Sequence, residues 1–147
     1  MDVKLSYGKT GLNVVLPQKL TTIISPEFIP GLPDQQGAIK FALRNPIDRS
    51  PLKISAKYGQ KIAISICDIT RPMPNHLVLP TILSELNHIP EEDITILVAT
   101  GTHRAVTEQE LSLMLGSEIV KKKYRIINHD AFNEDTLDLI GQTSNGI

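Results

Sequence analysis

The 147-residue chain has no tryptophan, a single cysteine and only 4% aromatic residues. Its core must therefore be built from aliphatic side chains. The lone thiol, Cys67, excludes an internal disulfide and fits a reducing compartment, so a cytoplasmic protein is expected. No excess of either charge sign exists. Fifteen Lys and Arg stand against 16 Asp and Glu, a net charge of −1 that gives no electrostatic case for nucleic acid or an anionic membrane. No apolar run approaches the ~20 residues a spanning helix needs. Met1-Asp2-Val3-Lys4 opens no basic-then-apolar segment, so no signal peptide is predicted. Gly-x-Gly-x-x-Gly and the phosphate-loop signature are both missing, which leaves ordinary NAD or ATP loops without support. Cys67 has no His or Cys at a metal-ligand spacing.

What is present is a 41% apolar content, enough for one domain of ordinary size. Two β-branched runs stand out, Ile62-Ala63-Ile64-Ser65-Ile66 and Ile94-Thr95-Ile96-Leu97-Val98. They read as strands of a parallel sheet buried on both faces. Each leads through a short loop into a helical pattern, and strand–helix–strand units of this kind lay parallel strands side by side. The predicted fold is α/β, a Rossmann-like open parallel sheet with helices on both faces. The predicted core is a βαβαβ unit over residues 61–147, its strands near 61–67, 94–100 and 124–128. Residues 1–30 read as an antiparallel β addition to that sheet. Val3, Leu5 and Tyr7 alternate with polar residues, Gly8 to Gly11 is a turn, Leu12 to Leu16 returns, and Thr21 to Ile24 is a third short strand.

Helices are expected from Gln35 to Arg44, capped by Asp34 and stopped by Pro46, and as a turn over 53–58 closed by Gly59. Leu77, Leu79, Ile82, Leu83 and Leu86 recur at helical spacing after the first loop, with Asn75 as cap. Pro80 lies too deep for a first turn there, and calls for a kink or a later start. Thr107-Glu108-Gln109-Glu110 is a capping box, Leu111, Met114 and Leu115 an apolar face, and Gly116 a terminator. A short helix over 117–122 and a last strand from Thr136 to Gly141 complete the reading. The turn-like end, Gln142 to Ile147, predicts the N-terminal part of a longer protein.

Both loops open at the carboxyl edge of the sheet, where open α/β sheets bind ligands. The first is Cys67-Asp68-Ile69-Thr70-Arg71-Pro72-Met73-Pro74 and the second Ala99-Thr100-Gly101-Thr102-His103-Arg104. Asp68 and Arg71 can fix their own loop, by a salt bridge or an Asx-turn, or can contact a ligand. In the second case Arg71 donates to a phosphate or carboxylate, Thr70 donates to an anion and Asp68 accepts from a hydroxyl. His103 can take or give a proton near neutrality, or be structural. Arg104 can bind an anion or pair with Glu108 or Glu110. His129-Asp130 reads as structural, His76 and His88 as surface residues and Cys67 as core.

Asp68-Ile69-Thr70-Arg71-Pro72-Met73-Pro74 and Leu97-Val98-Ala99-Thr100-Gly101-Thr102-His103-Arg104 together resemble the N-terminal domain of the lactate racemase family. Asn45-Pro46-Ile47 and Thr107-Glu108-Gln109-Glu110-Leu111 match as well, and the likeness runs from about residue 40 to the end. The resemblance implies a two-domain, nickel-pincer-nucleotide-dependent racemase or epimerase of 2-hydroxy acids, with the active site between its domains. It implies that Asp68, Thr70 and Arg71 contact the cofactor and that His103 is one of two acid/base groups, the hydride of the 2-hydroxy carbon passing to the cofactor. Ile69 stands where lactate racemase itself has histidine, which bears on the substrate. The family's tethering lysine, nickel-binding histidine and second catalytic histidine are implied beyond Ile147. The chain by itself is thus expected to be inactive and to hold no complete metal site, its C-terminal domain being its partner. The other readings are a nucleotide- or anion-binding α/β module without catalysis, and a structural domain whose charged loops pair only with each other.

Overall fold

The computed structural model describes residues 1–116, 121 and 123–146. The chain forms two compact units, Met1–Gly31 and Leu32–Ile147. In the first, β1 (Asp2–Leu5) pairs antiparallel with β2 (Leu12–Val15). The Met1 ammonium donates to the Leu16 carbonyl at 2.8 Å and extends the pairing. This pair forms its own two-stranded sheet, which corrects the reading of an addition to the main one. Thr21 to Ile24 forms no strand: Ile23 and Ile24 are exposed and have no ladder partner. β-branched residues favour a strand only where a neighbouring surface exists to pack against.

The second unit carries the parallel sheet, in the order β3 (Ile62–Cys67), β4 (Ile94–Ala99), β5 (Arg125–Asn128). β3 pairs parallel with β4 from Ile62↔Ile94 through Cys67↔Ala99. β4 pairs parallel with β5 from Thr95↔Arg125 to Val98↔Asn128. The Rossmann-like α/β reading therefore holds, and the three strands lie where the apolar runs placed them.

Around the sheet stand α1 (Gln35–Arg44), α2 (Leu52–Ser55), α3 (Asn75–Glu85) and α4 (Glu108–Leu115). Asp34 caps α1 as predicted, accepting the Gly37 N–H at 2.8 Å. The predicted helical turn over 53–58 is shorter and earlier, being α2. α3 begins at Asn75 itself with Pro74 at its N-cap, so Asn75 is not the capping residue. The helix runs on through Pro80 without the later start. Pro80 supplies no backbone donor, and the hydroxyl of its neighbour Thr81 donates to the Leu77 carbonyl at 2.9 Å. Arg44 of α1 clasps the buried Glu85 of α3, with Nη2–Oε1 and Nε–Oε2 both at 3.0 Å.

Leu79 and Leu83 of α3, Leu111 and Leu115 of α4, and Ile66, Ile94, Ile96 and Val98 of the sheet form one core cluster. α3 and α4 thus share one face of the sheet. Burial on both faces is corrected: along β3, Ala63 and Ser65 are exposed, as is Ala99 of β4. The physical reason is the alternation of large and small residues in Ile-Ala-Ile-Ser-Ile, a period of two that buries one side. α4 has the predicted capping box and ends at Gly116, where φ is 64°. A Cβ on Gly116 would collide with the His76 Cβ, so glycine there also allows α3 and α4 to approach. The helix expected over 117–122 lies outside the described residues except for Lys121, which is helical. The predicted strand from Thr136 to Gly141 does not form. A 3₁₀ turn over Glu134–Thr136 gives way to irregular chain, with Leu139 and Ile140 fully open to solvent and no strand beside them.

Candidate active site

The register brings the ends of β3 and β4 level at Cys67 and Ala99. Asp68 and Thr100 are thus the first residues past the ladder on neighbouring strands, and both are buried. The Asp68 carboxylate is divided between two partners. Oδ1 accepts from the Thr70 hydroxyl at 2.6 Å and from the Thr70 N–H at 3.1 Å, an Asx-turn that folds the first loop on itself. Oδ2 meets Nδ1 of His103, across from the second loop, at 2.6 Å. The acid is only 5% exposed, whereas the His103 side chain is 52% exposed. A buried anion therefore anchors a ring that reaches solvent. Donation from the Thr70 hydroxyl, then from His103, outweighs burial and holds the Asp68 carboxyl down at about 2.

The second loop owes its shape to a turn in which the His103 N–H donates to the Thr100 carbonyl at 3.0 Å. Gly101 takes a φ of 59° within it, a conformation a side chain resists. The Thr100 hydroxyl donates to the His129 carbonyl at 2.5 Å, tying the loop root to the end of β5. Two residues past Arg104, the side-chain amide of Asn128 clasps the Val106 backbone. Sequence reasoning missed Thr100 and Asn128 as site-building residues. The available signal was a hydroxyl and an amide at the carboxyl ends of β4 and β5, the edge already marked for function.

The predicted site residues are brought together unevenly. Asp68, Arg71, Thr100, Gly101 and His103 line one cleft of ≈ 280 Å³. Among the described residues the Arg71 guanidinium has no hydrogen-bond or ion-pair partner, so the Asp68–Arg71 salt bridge is not formed. Arg104 is engaged elsewhere: its two Nη atoms grip the Glu110 carboxylate at 2.8 and 2.6 Å. That bidentate pair and the Thr107 N–H hold the Glu110 carboxyl at about 2. Asp130 closes a local turn onto the Phe132 N–H, and the His129 backbone serves the sheet. No group of three His, Cys, Asp or Glu side chains among the described residues is placed to hold a metal ion.

Residues 7–147 match the family model of the lactate racemase N-terminal domain. The chain belongs to this family. Over 99% of its length it is 30% identical to a lactate racemase of Thermoanaerobacterium thermosaccharolyticum, and over 76% it is 35% identical to one of Lactiplantibacillus plantarum. It covers 35% and 26% of those relatives, so it spans about a third of their length or less. The solved structure of the T. thermosaccharolyticum lactate racemase apoprotein superposes with a TM-score of 0.77 at 32% identity, over 99% of this chain and 34% of that one. A Thermotoga maritima protein superposes with a TM-score of 0.58 at 26% identity, over 79% of this chain and 26% of that one. The two paired loops and the sheet beneath them thus lie within a fold shared along almost the whole chain.

Proposed function

We propose that this chain is the N-terminal, cofactor- and substrate-binding domain of a cytoplasmic lactate-racemase-like enzyme. The enzyme racemises or epimerises a small 2-hydroxy acid, and the rest of it supplies the metal ligands, the lysine tether and a second acid/base group. The observation that carries this reading is the Asp68–His103 contact at the rim of the cleft. A histidine held by a buried carboxylate on one nitrogen and open on the other is built to move a proton. His103 accepts the substrate hydroxyl proton and returns it. The nickel-pincer nucleotide, when bound, supplies the acceptor for the hydride of the neighbouring carbon.

The residues present fit one anionic part of that group. Arg71 brings to the cleft wall a guanidinium without a partner among the described residues, a strong donor for a phosphate or carboxylate. Thr70 and Asp68 complete the cofactor-facing loop. Arg104, gripped by Glu110, holds the second loop in place and is not assigned to substrate.

The test is His103→Ala in the full-length enzyme. Positioned acid–base catalysis contributes on the order of a hundred- to ten-thousand-fold, so turnover falls by at least about the lower figure while bound nickel is retained. Near-normal turnover in that variant would overturn the acid/base assignment and make His103 structural. The alternative, a nucleotide- or anion-binding module without catalysis, draws on the same two loops and on Arg71. It is favoured if the full-length protein retains the nucleotide yet racemises no 2-hydroxy acid.

A further inference from the structure

We infer that Asp68 is a positioning residue that fixes the tautomer and orientation of the His103 ring, leaving Nε2 as the atom that exchanges protons. The inference rests on the acid/base reading of His103 and extends it. Both Asp68 oxygens have partners, Oδ1 in two bonds from Thr70 and Oδ2 in one with His103. The carboxyl is anionic at neutral pH and can only accept. A ring nitrogen 2.6 Å from a carboxylate oxygen therefore carries a proton, so Nδ1 is the N–H of the neutral ring. Nε2, which has no hydrogen-bond partner among the described residues, keeps its lone pair.

Thr70 secures the arrangement from behind. Its hydroxyl and N–H converge on Oδ1 and stop the carboxylate from turning, so Oδ2 stays aimed at His103. The chain of contacts runs Thr70 to Asp68 to His103, and it crosses from the loop after β3 to the loop after β4. A carboxylate committed in this way is poorly placed to accept from a substrate hydroxyl itself. The division of labour resembles that of any buried acid behind a catalytic imidazole, where the acid orients the ring and is not itself protonated.

Two-bond ¹H–¹⁵N spectra of the 147-residue chain, labelled at histidine, report which nitrogen of His103 carries the proton. The expected wild-type result, at a pH where the ring is neutral, is a single Nδ1–H form. Asp68→Ala should convert it to the mixture of a free imidazole, while the backbone amide spectrum stays folded. Thr70→Val, which keeps the carboxylate but removes one of its anchors, should give a partial conversion. In the full-length enzyme, Asp68→Asn should lower kcat, counted per bound nickel, at least tenfold with KM little changed. An Nε2–H tautomer in the wild type, or an unchanged tautomer in a folded Asp68→Ala chain, would overturn the positioning role whatever the reaction. A moved tautomer combined with full turnover of His103→Ala would instead remove the acid/base role of His103 and leave Asp68 as the residue that fixes the ring.

Discussion

Asn128, the last residue of β5, holds Val106 through both polar ends of its side-chain amide. Oδ1 accepts the Val106 N–H at 2.9 Å and Nδ2 donates to the Val106 carbonyl at 3.1 Å. The side chain acts as a short extra rung of sheet, joining β5 to the segment between His103 and α4. Val106 is itself a core residue, so the amide fixes the far end of the histidine loop to the protein interior.

Asn128→Leu keeps the approximate size of the side chain and removes both bonds, leaving the Val106 N–H and C=O to find other partners. Unsatisfied buried groups cost about 1–3 kcal/mol each. The variant should lose stability on that order in urea unfolding. Asn128→Asp, which keeps the acceptor but sets a second acceptor oxygen against the Val106 carbonyl, should also lose stability.

Acid should weaken the second unit in a defined window. The Asp68 and Glu110 carboxyls both sit at about 2, below the ~4 of free carboxylates. A carboxyl whose folded value is depressed adds stability that is full above its unfolded value and is lost as pH falls toward its folded one. Stability should thus be flat above pH ~5, decline between pH ~4 and ~2, and level below. Glu110→Gln should flatten that decline, because its acid no longer titrates. An equal slope in wild type and variant, read by thermal melts across the range, would contradict the assignment.

Arg71 and Arg104 should behave oppositely on substitution. Arg104→Ala breaks a bidentate pair with Glu110 next to the α4 cap, and pairs of this exposure are worth up to about 1 kcal/mol. Arg71→Ala removes a side chain with no partner among the described residues, so folding stability should stay within about 0.5 kcal/mol. Its effect should appear instead as lost nucleotide and nickel retention in the full-length enzyme. A melting temperature that drops for Arg71→Ala and not for Arg104→Ala would reverse the two roles.

Much of this was readable in the residues. The strands at Ile62–Cys67, Ile94–Ala99 and Arg125–Asn128 follow their apolar runs, and the Thr107–Glu110 capping box was legible because its chemistry is local. The one-sided burial of β3 was also written in its large–small alternation, but the count of apolar residues masked it. Thr21 to Ile24 and Thr136 to Gly141 have strand-forming residues and no strand, since pairing depends on a neighbour that no local pattern supplies. At the site, the residue types and the local pairings, an Asx-turn at Asp68 and Arg104 with Glu110, were legible, and the contact between the two loops was not. Asp68 and Arg71 are close in the chain, yet the acid turns to Thr70 and to His103. The turn to Thr70 is local, and the pairing of β3 with β4 brings His103 within reach.

The level ending of β3 and β4 makes the site unusually dependent on strand length. Because side chains alternate along a strand, dropping one residue from Ile62–Cys67 either turns Asp68 to the opposite face or shifts it about 3.3 Å along the ladder. Either outcome separates a carboxylate from an imidazole whose contact is 2.6 Å. Keeping Asp68 and His103 in the two loops is therefore not enough, because the count of residues in the strands beneath them must be kept as well. The measuring device of this site is the ladder.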